Sequence, residues 1–207
     1  MMNTTLRQQE LSFLETINYF LINELTKRQL HEKFEFVSYH DPLTGLPNRN
    51  CYVQYLNELN KKALTSIGIV IADINGLKHI NERFGYPLGD QVVQQTAQIL
   101  QEQFALQKIF RLGGDEFIVL CEDLSRVTFT QKVQQVKSLF DERPDNGVSL
   151  GYTWTEKNEE IPVLVNHANE LLCIAKQQYY ETAEAVSKHY RPKILKELLN
   201  DIRDRCV

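Results

Sequence analysis

IFRLGGDEFIVLC, residues 109–121, consists of two apolar runs separated by two glycines and two carboxylates. The pattern predicts a β-hairpin with arms from Ile109 to Leu112 and from Phe117 to Cys121. The glycines allow a tight reversal and a close approach to a ligand, and the carboxylates then lie at the tip, where they can hold metal ions. A glycine-acid turn also builds hairpins that bind nothing, so the stretch alone does not assign a function.

Three further segments precede the hairpin in order: DPLTGLPNR at 41–49, DINGLKHIN at 73–81, and Gly85 followed by Gly89-Asp90. Together with the hairpin they resemble the GGDEF family of diguanylate cyclases from Ser38 to Tyr180. The resemblance implies an α/β palm domain of the nucleotide-cyclase type, an α+β sandwich whose central, mostly antiparallel sheet is flanked by helices and preceded by a long N-terminal helix. It also implies that two GTP molecules condense into cyclic di-GMP with release of pyrophosphate.

Acidic residues at the ends of the predicted strands match the metal positions of the family. Asp73 ends the apolar run 67–74, and the resemblance pairs it with Asp115, with the Ile74 carbonyl as a main-chain ligand and Glu116 assisting. Hard carboxylate oxygens suit Mg²⁺ or Mn²⁺. The resemblance assigns catalysis to Asp115, Glu116 and Lys78, with Asp115 as the nearest candidate base. A strand-end cap is the structural alternative for Asp73.

Guanine recognition is assigned by the same resemblance to Asn81 and Asp90. A carboxylate can accept hydrogen bonds from both N1–H and the amine of guanine, and adenine offers no such pair of donors. These two residues could equally end one helix and cap the next, a role compatible with base reading. The expected contacts to the rest of GTP come from Lys78, from the backbone N–H groups around Asn75 to Leu77 at a helix start, and from the following residues: Leu77, Gly113, Gly114 and Lys176.

The sequence departs from the family pattern in ways that bear on function. Tyr180 stands where a phosphate-binding arginine is expected, and Tyr86 stands where a histidine is usual. Phe104-Ala105-Leu106-Gln107 replaces the Arg-x-x-Asp element of the product-inhibition site, so feedback through that site is not expected. The alternative to an active cyclase is therefore a catalytically weak or inactive GGDEF module that binds GTP and regulates either a partner or a lost phosphodiesterase domain.

Composition narrows the class of protein. The 207-residue chain has a net charge of −4 and a pI of about 5.8, which disfavours binding to duplex DNA or RNA. Its four cysteines are widely spaced and form no CxxC pair, as is typical of a reducing cytoplasm. No apolar stretch is long enough for a membrane segment and no signal peptide is recognisable, so the sequence predicts a cytoplasmic protein.

Three regions are expected along the chain. Residues 1–39 form a helical stalk, with a helix from Glu10 to Tyr39 whose apolar stripe shifts around Thr26 to Gln29; it either dimerises or packs on its own domain. Residues 40–180 form the GGDEF domain. Residues 181–207 form a tail with a second short helix after Pro192, which either docks or leads into a phosphodiesterase domain of the EAL type, as is common in the family. Further predicted elements are helices at 48–62, 77–83, 87–104, 128–140 and 161–180, and strands at 67–74 and 147–154.

Overall fold

The structure is a computed structural model that describes residues 2–59, 62–142, 147–156 and 160–187. The described chain divides into two units, the first ending at His40 and the second beginning at Asp41. The helix predicted after Pro192 lies outside the described residues.

The first unit is one continuous helix, α1 (Met2–Tyr39). It confirms the predicted helix, which begins eight residues earlier than expected and is not interrupted where the apolar stripe shifts face. There the hydroxyl of Thr26 donates to the Ile22 carbonyl at 2.8 Å, a bond within the helix that satisfies the side chain. Large apolar side chains are exposed along its described part: Ile17, Tyr19, Phe20, Leu21, Ile22, Leu25, Leu30, Phe34, Phe36, Val37 and Tyr39.

The second unit alternates helices and strands as the sequence predicts. The elements are α2 (Arg49–Leu59), β1 (Ile67–Ile74), α3 (Leu77–Phe84), α4 (Tyr86–Gln103), β2 (Lys108–Arg111), β3 (Glu116–Glu122), α5 (Arg126–Asp141), β4 (Val148–Thr155) and α6 (Ile161–Ser187). Local chemistry fixes two helix starts: the Asn48 side chain accepts from the backbone N–H of Asn50 at 2.9 Å, and Ser125 caps α5. α6 continues past its predicted end at Tyr180.

The four strands form one antiparallel sheet in the order β2-β3-β1-β4. Central β1 is buried on both faces, as its unbroken apolar run predicts. Val70 and Ala72 belong to the core shared with α4 and α5, whereas Ile69 and Ile71 belong to the core shared with α2 and α6. The arrangement confirms the predicted sandwich with a mostly antiparallel sheet.

Helix α6 lies unusually close to β4. A Cβ atom added at Gly151 would collide with the carbonyl oxygen of Ala168 and with the backbone nitrogen of Leu172. Only a residue without a side chain permits this approach, so Gly151 sets the height of α6 above the sheet.

Candidate active site

Three carboxylates meet at one end of the sheet because of strand register. Asp73 is the last residue but one of β1, its side chain is largely buried, and it pairs with Glu116 across the β1–β3 ladder. The backbone N–H of Ile74 donates to the carbonyl of Asp115 at 3.0 Å, which fixes the hairpin tip beside the end of β1. The sheet therefore brings together Asp73, Asp115 and Glu116, three of the four predicted metal-binding residues, and Ile74 follows Asp73 directly.

These carboxylates share an unfavourable electrostatic environment. Burial, together with the smaller effect of the charges of Asp115 and Glu116, raises the pKa of Asp73 to about 6. The Lys176 ammonium, 2.7 Å from Asp73 Oδ1, opposes this rise. Burial and the Asp115 charge likewise raise the pKa of Glu116. Clustered acids with raised pKa values are typical of a site that receives a cation.

The carboxylates fit a hard divalent ion whose coordination shell is completed by phosphate oxygens and waters. Asp73 and Asp115 offer carboxylate oxygens, and Mg²⁺ commonly takes only one or two carboxylates, with waters and substrate phosphates completing the shell. Across the described ranges no three His, Cys, Asp or Glu side chains form a preassembled metal-binding group. The protein side chains would therefore supply only part of the coordination shell.

A cleft of about 430 Å³ opens between α3 and the hairpin tip. Asn81 lines this cleft, and its side-chain oxygen is buried against Gly89 and has no hydrogen-bond partner, an arrangement that favours a ligand carrying a donor. Asn81 packs so closely on Gly89 that a Cβ atom there would collide with it. Asp90 follows on the exposed surface of α4 and is not among the residues that line the cleft. The lining residues are Leu77, Lys78, Asn81, Glu82, Tyr86, Gly114 and Asp115.

The hairpin tip is held by an arginine that the sequence analysis did not single out. Arg111 donates through Nε to the Gly113 carbonyl at 3.0 Å and through a terminal nitrogen to the Gly114 carbonyl at 2.7 Å. Its other terminal nitrogen contacts Asp41 at 2.7 Å, and Asp41 also accepts from the backbone N–H of Thr44 at 2.9 Å. The guanidinium thus ties the glycine turn to the segment before α2.

Two reasons were expected for the glycines of the turn, a tight reversal and the close approach of a ligand, and the structure agrees with the second. Neither Gly113 nor Gly114 has a φ in the left-handed region, so the backbone conformation alone does not require glycine. A Cβ atom at either position would meet nothing within 4 Å. The glycines leave open space above the backbone, where a ligand can approach.

The loop after β1 differs from the expected phosphate cradle. Gly76 adopts φ +69° before α3. The N–H of Asn75 donates to the Gly147 carbonyl at 2.8 Å. One of the backbone donors expected to receive phosphate is therefore engaged within the protein.

At the opposite end of the hairpin, the residues that replace the Arg-x-x-Asp element carry no charge. Phe104 is fully buried, and the side-chain oxygen of Gln107 accepts from the backbone N–H of Glu122 at 3.0 Å. Leu106 is 94% exposed. The residues that replace the Arg-x-x-Asp element are thus used for packing and for closing the hairpin.

Comparisons with known proteins agree with this architecture. Residues 38–182 match the family model described as diguanylate cyclase, GGDEF domain. An uncharacterized membrane protein of Staphylococcus epidermidis is 27% identical over 164 residues, which cover 72% of this chain and 46% of that protein. A similarly named protein of Staphylococcus aureus is 34% identical over 113 residues, or 53% of this chain and 32% of that protein. The chain therefore spans less than half the length of the curated relatives it matches.

In the part of the chain that the structure describes, no helix has the length and apolarity needed to span a bilayer.

Solved structures show the same fold. The coiled coil and GGDEF domain of DgcB from Caulobacter crescentus, in complex with c-di-GMP, superposes with a TM-score of 0.66 at 22% identity and covers 80% of this chain and 95% of that one. The GGDEF domain of FimX from Pseudomonas aeruginosa superposes with a TM-score of 0.62 at 20% identity, over 68% of this chain and 95% of that one. The family match spans well over half of the sequence, and the chain belongs to the GGDEF-domain family of diguanylate cyclases.

Proposed function

We propose that this chain is a diguanylate cyclase that joins two GTP molecules in a head-to-tail reaction. Each 3′-hydroxyl oxygen forms a bond to the α-phosphorus of the other nucleotide, while the bond from that phosphorus to the β-phosphate oxygen breaks and pyrophosphate leaves. The hydroxyl proton passes to a carboxylate, for which Asp115 at the mouth of the cleft is the candidate base. Cyclic di-GMP and two pyrophosphates are the products.

The observation that carries this proposal is the convergence of Asp73, Asp115 and Glu116 beside a cleft with an unsatisfied Asn81 oxygen. Three acids at one sheet end cost stability through burial and mutual repulsion, and such a cost is typical of a functional site. A divalent ion bound by Asp73 and Asp115 would neutralise charge on the phosphates. GTP as substrate places the domain in the cytoplasm.

The remaining residues bind and orient the nucleotide in this proposal. Asn81 and Asp90 read guanine at the α3–α4 end, with Gly114 leaving room at the hairpin tip. Lys78 lines the cleft as an exposed cation, and Lys176 adds a second cation next to Asp73. In this proposal, the phosphate oxygens that become more negative in the transition state face the positive charges of Lys78 and Lys176.

Dimerisation is part of the same proposal, since one site holds one GTP and the reaction joins two. The exposed apolar side chains of α1 offer a surface on which two copies can pair. Their helical stripe is imperfect, so the dimer is expected to be weak and dependent on concentration.

A second candidate function is favoured by one observation, the engagement of the Asn75 N–H by the Gly147 carbonyl at 2.8 Å. With an internal acceptor at that donor, and with no arginine at position 180, the chain would bind GTP weakly and act as a regulatory module. This alternative predicts nucleotide binding without product.

The two candidates are separated by a product assay. The purified chain is incubated with GTP and Mg²⁺, and both pyrophosphate and cyclic di-GMP are measured over a range of protein concentrations. A cyclase gives both products, with specific activity rising with concentration and falling when residues before Ser38 are deleted. Binding of GTP without either product would replace the cyclase by the regulatory module, and absence of binding would contradict both.

A further inference from the structure

Lys176 and Asp73 form an ion pair at the acidic end of the sheet. The Lys176 ammonium lies 2.7 Å from Asp73 Oδ1, and only 18% of the lysine side chain and 11% of the aspartate side chain are exposed. Water and salt screen such a pair less than they screen a pair on the surface. The carboxylate that the site would offer to a divalent ion is therefore already neutralised by a cation of the chain itself.

The packing of α6 on the sheet fixes the backbone of Lys176 but not its ammonium. Leu172, one turn earlier, is buried, and its backbone nitrogen lies so close to Gly151 that an added Cβ atom would collide with it. The ammonium is carried by a flexible four-carbon stem. It can therefore exchange one anionic partner for another without a movement of the helix.

An ammonium and a divalent ion compete for the same carboxylate, because two positive charges on one acid repel each other. Within the described part of the chain, no third histidine, cysteine or acid forms a metal-binding group with Asp73 and Asp115. A divalent ion without other ligands thus gains little by displacing Lys176. A triphosphate changes this balance, since its ionised oxygens both accept the ammonium and complete the coordination shell of the ion.

We propose that Lys176 is an exchangeable counter-ion of Asp73, which opposes binding of a bare divalent ion and passes to the triphosphate when ion and nucleotide bind together. The inference rests on the proposed function, because it takes Asp73 and Asp115 as ligands of a divalent ion. Its consequence is that the chain selects the complex of the ion with a nucleoside triphosphate over the ion alone.

The first measurement uses Mn²⁺ alone as the probe, with the purified full chain and no nucleotide, and follows free Mn²⁺ by electron paramagnetic resonance. Lys176→Met should bind Mn²⁺ roughly 5- to 100-fold more tightly than the unmodified chain does, because the competing cation is gone. Lys176→Arg keeps a positive charge and should stay near the unmodified value. Lys176→Gln serves where the methionine variant does not fold.

The chain offers a matched control at the far end of the sheet. Lys62 contacts Glu122 at 2.8 Å, an ion pair of the same kind, and Glu122 lies opposite Ile67 at the other end of the β1–β3 ladder from Asp73. Lys62→Met removes the same charge from the chain and should leave the affinity for Mn²⁺ unchanged.

The second measurement uses the Mn²⁺ complex of a GTP analogue that carries a methylene group between its α- and β-phosphorus, so that it cannot condense. Dissociation constants are measured by calorimetry. Lys176→Met should bind this complex roughly tenfold more weakly, because the triphosphate loses a charged partner. The variant thus gains affinity for the bare ion and loses affinity for the nucleotide complex, a pair of opposite changes that a general loss of structure would not produce.

Opposite changes for the bare ion and the nucleotide complex support the inference. Changes of the same sign, no gain for Mn²⁺ in Lys176→Met, an equal gain in Lys62→Met, or a gain that persists when Asp73→Asn is added would overturn it. Formation of cyclic di-GMP by a chain that fails these tests would leave the proposed function in place and remove this inference alone. Absence of binding of both Mn²⁺ and the nucleotide complex by every variant would contradict both.

Discussion

The β2–β3 hairpin has two ends with opposite character. At the tip, Asp115 and Glu116 lie beside Asp73, and burial together with their charges raises the pKa of Asp73. At the open end, Phe104 is buried and Gln107 uses its carboxamide to bind the backbone of β3. The tip keeps acids close together, which folding disfavours, whereas Phe104 and Gln107 at the open end contribute packing and a neutral hydrogen bond.

The difference shows that two functions proposed for the hairpin, chemistry at the tip and product binding at the open end, depend on different residues. Chemistry at the tip depends on carboxylates placed by strand register, because Asp73 pairs with Glu116 only in the observed alignment. Product binding at the open end would depend on a guanidinium and a carboxylate that the chain lacks. A chain can therefore keep the carboxylates at the tip and lose the product-binding residues at the open end without changing the sheet.

The largest effect is expected at the tip. Asp115→Asn removes one of few anionic groups near the reacting phosphates and should reduce cyclic di-GMP formation by about 100-fold or more. Glu122→Gln, at the open end of the same hairpin, is the matched control and should stay within about twofold of the original rate. Rates are measured as product formed per folded protein. Near-normal turnover by Asp115→Asn, or an equal loss in the control, would remove the contrast between the two ends.

A smaller effect is expected at Asp90 on α4, the proposed guanine reader. Asp90→Ala should lower the preference for GTP over ATP by roughly 5- to 100-fold, because guanine donors lose their acceptor. Competition binding of the two nucleotides measures this ratio. Asp141→Ala, an exposed acid on α5, is the control and should not alter it. An unchanged preference in Asp90→Ala would exclude Asp90 as the guanine reader.

The anchoring of the tip predicts a pH-dependent change in stability. Burial would raise the pKa of Asp41, but hydrogen bonds from Thr44 and Arg111 hold it below its usual value. An acid with a lowered folded-state pKa contributes stability above its unfolded pKa of about 4 and loses that contribution as the pH falls through the folded value. Asp41→Asn should therefore lower the free energy of unfolding by about 2 kcal/mol at pH 7.

Urea unfolding at pH 7 and again near pH 3 checks the sign of this effect. The difference between Asp41→Asn and the unmodified chain should shrink at the acidic pH, whereas Asp141→Asn should show no difference at either pH. A constant difference would mean that the Asp41 charge is not what holds Arg111 and the tip.

The smallest effect is expected at the open end, where added product should change the kinetics only through the active site. Initial rates over a range of GTP concentrations, measured at several fixed concentrations of cyclic di-GMP, should give purely competitive inhibition. A noncompetitive component with product bound near Phe104 would contradict the contrast, since it would restore a ligand site at that end.

Features with a local cause could be predicted from the sequence, and features set by distant contacts could not. The run 67–74 and the cap at Asn48 predicted β1 and α2 because strand burial and helix capping depend on near neighbours. The role of Arg111 depends on Asp41, 70 residues away, and has no periodic signal. Tyr180 was noticed only as a missing arginine, because its burial requires the packing of α6 on the sheet.

The contact of Gly151 with α6 restricts how this sequence can evolve. Position 151 lies in β4, away from every residue assigned a chemical role, yet any side chain there would lift the helix at Leu172. Lys176 follows one turn later, about 6 Å along the helix axis, and would be carried away from Asp73. A lineage that keeps the ion pair between Lys176 and Asp73 is thus not free to change position 151. The restriction holds although Gly151 itself has no proposed contact with the nucleotide.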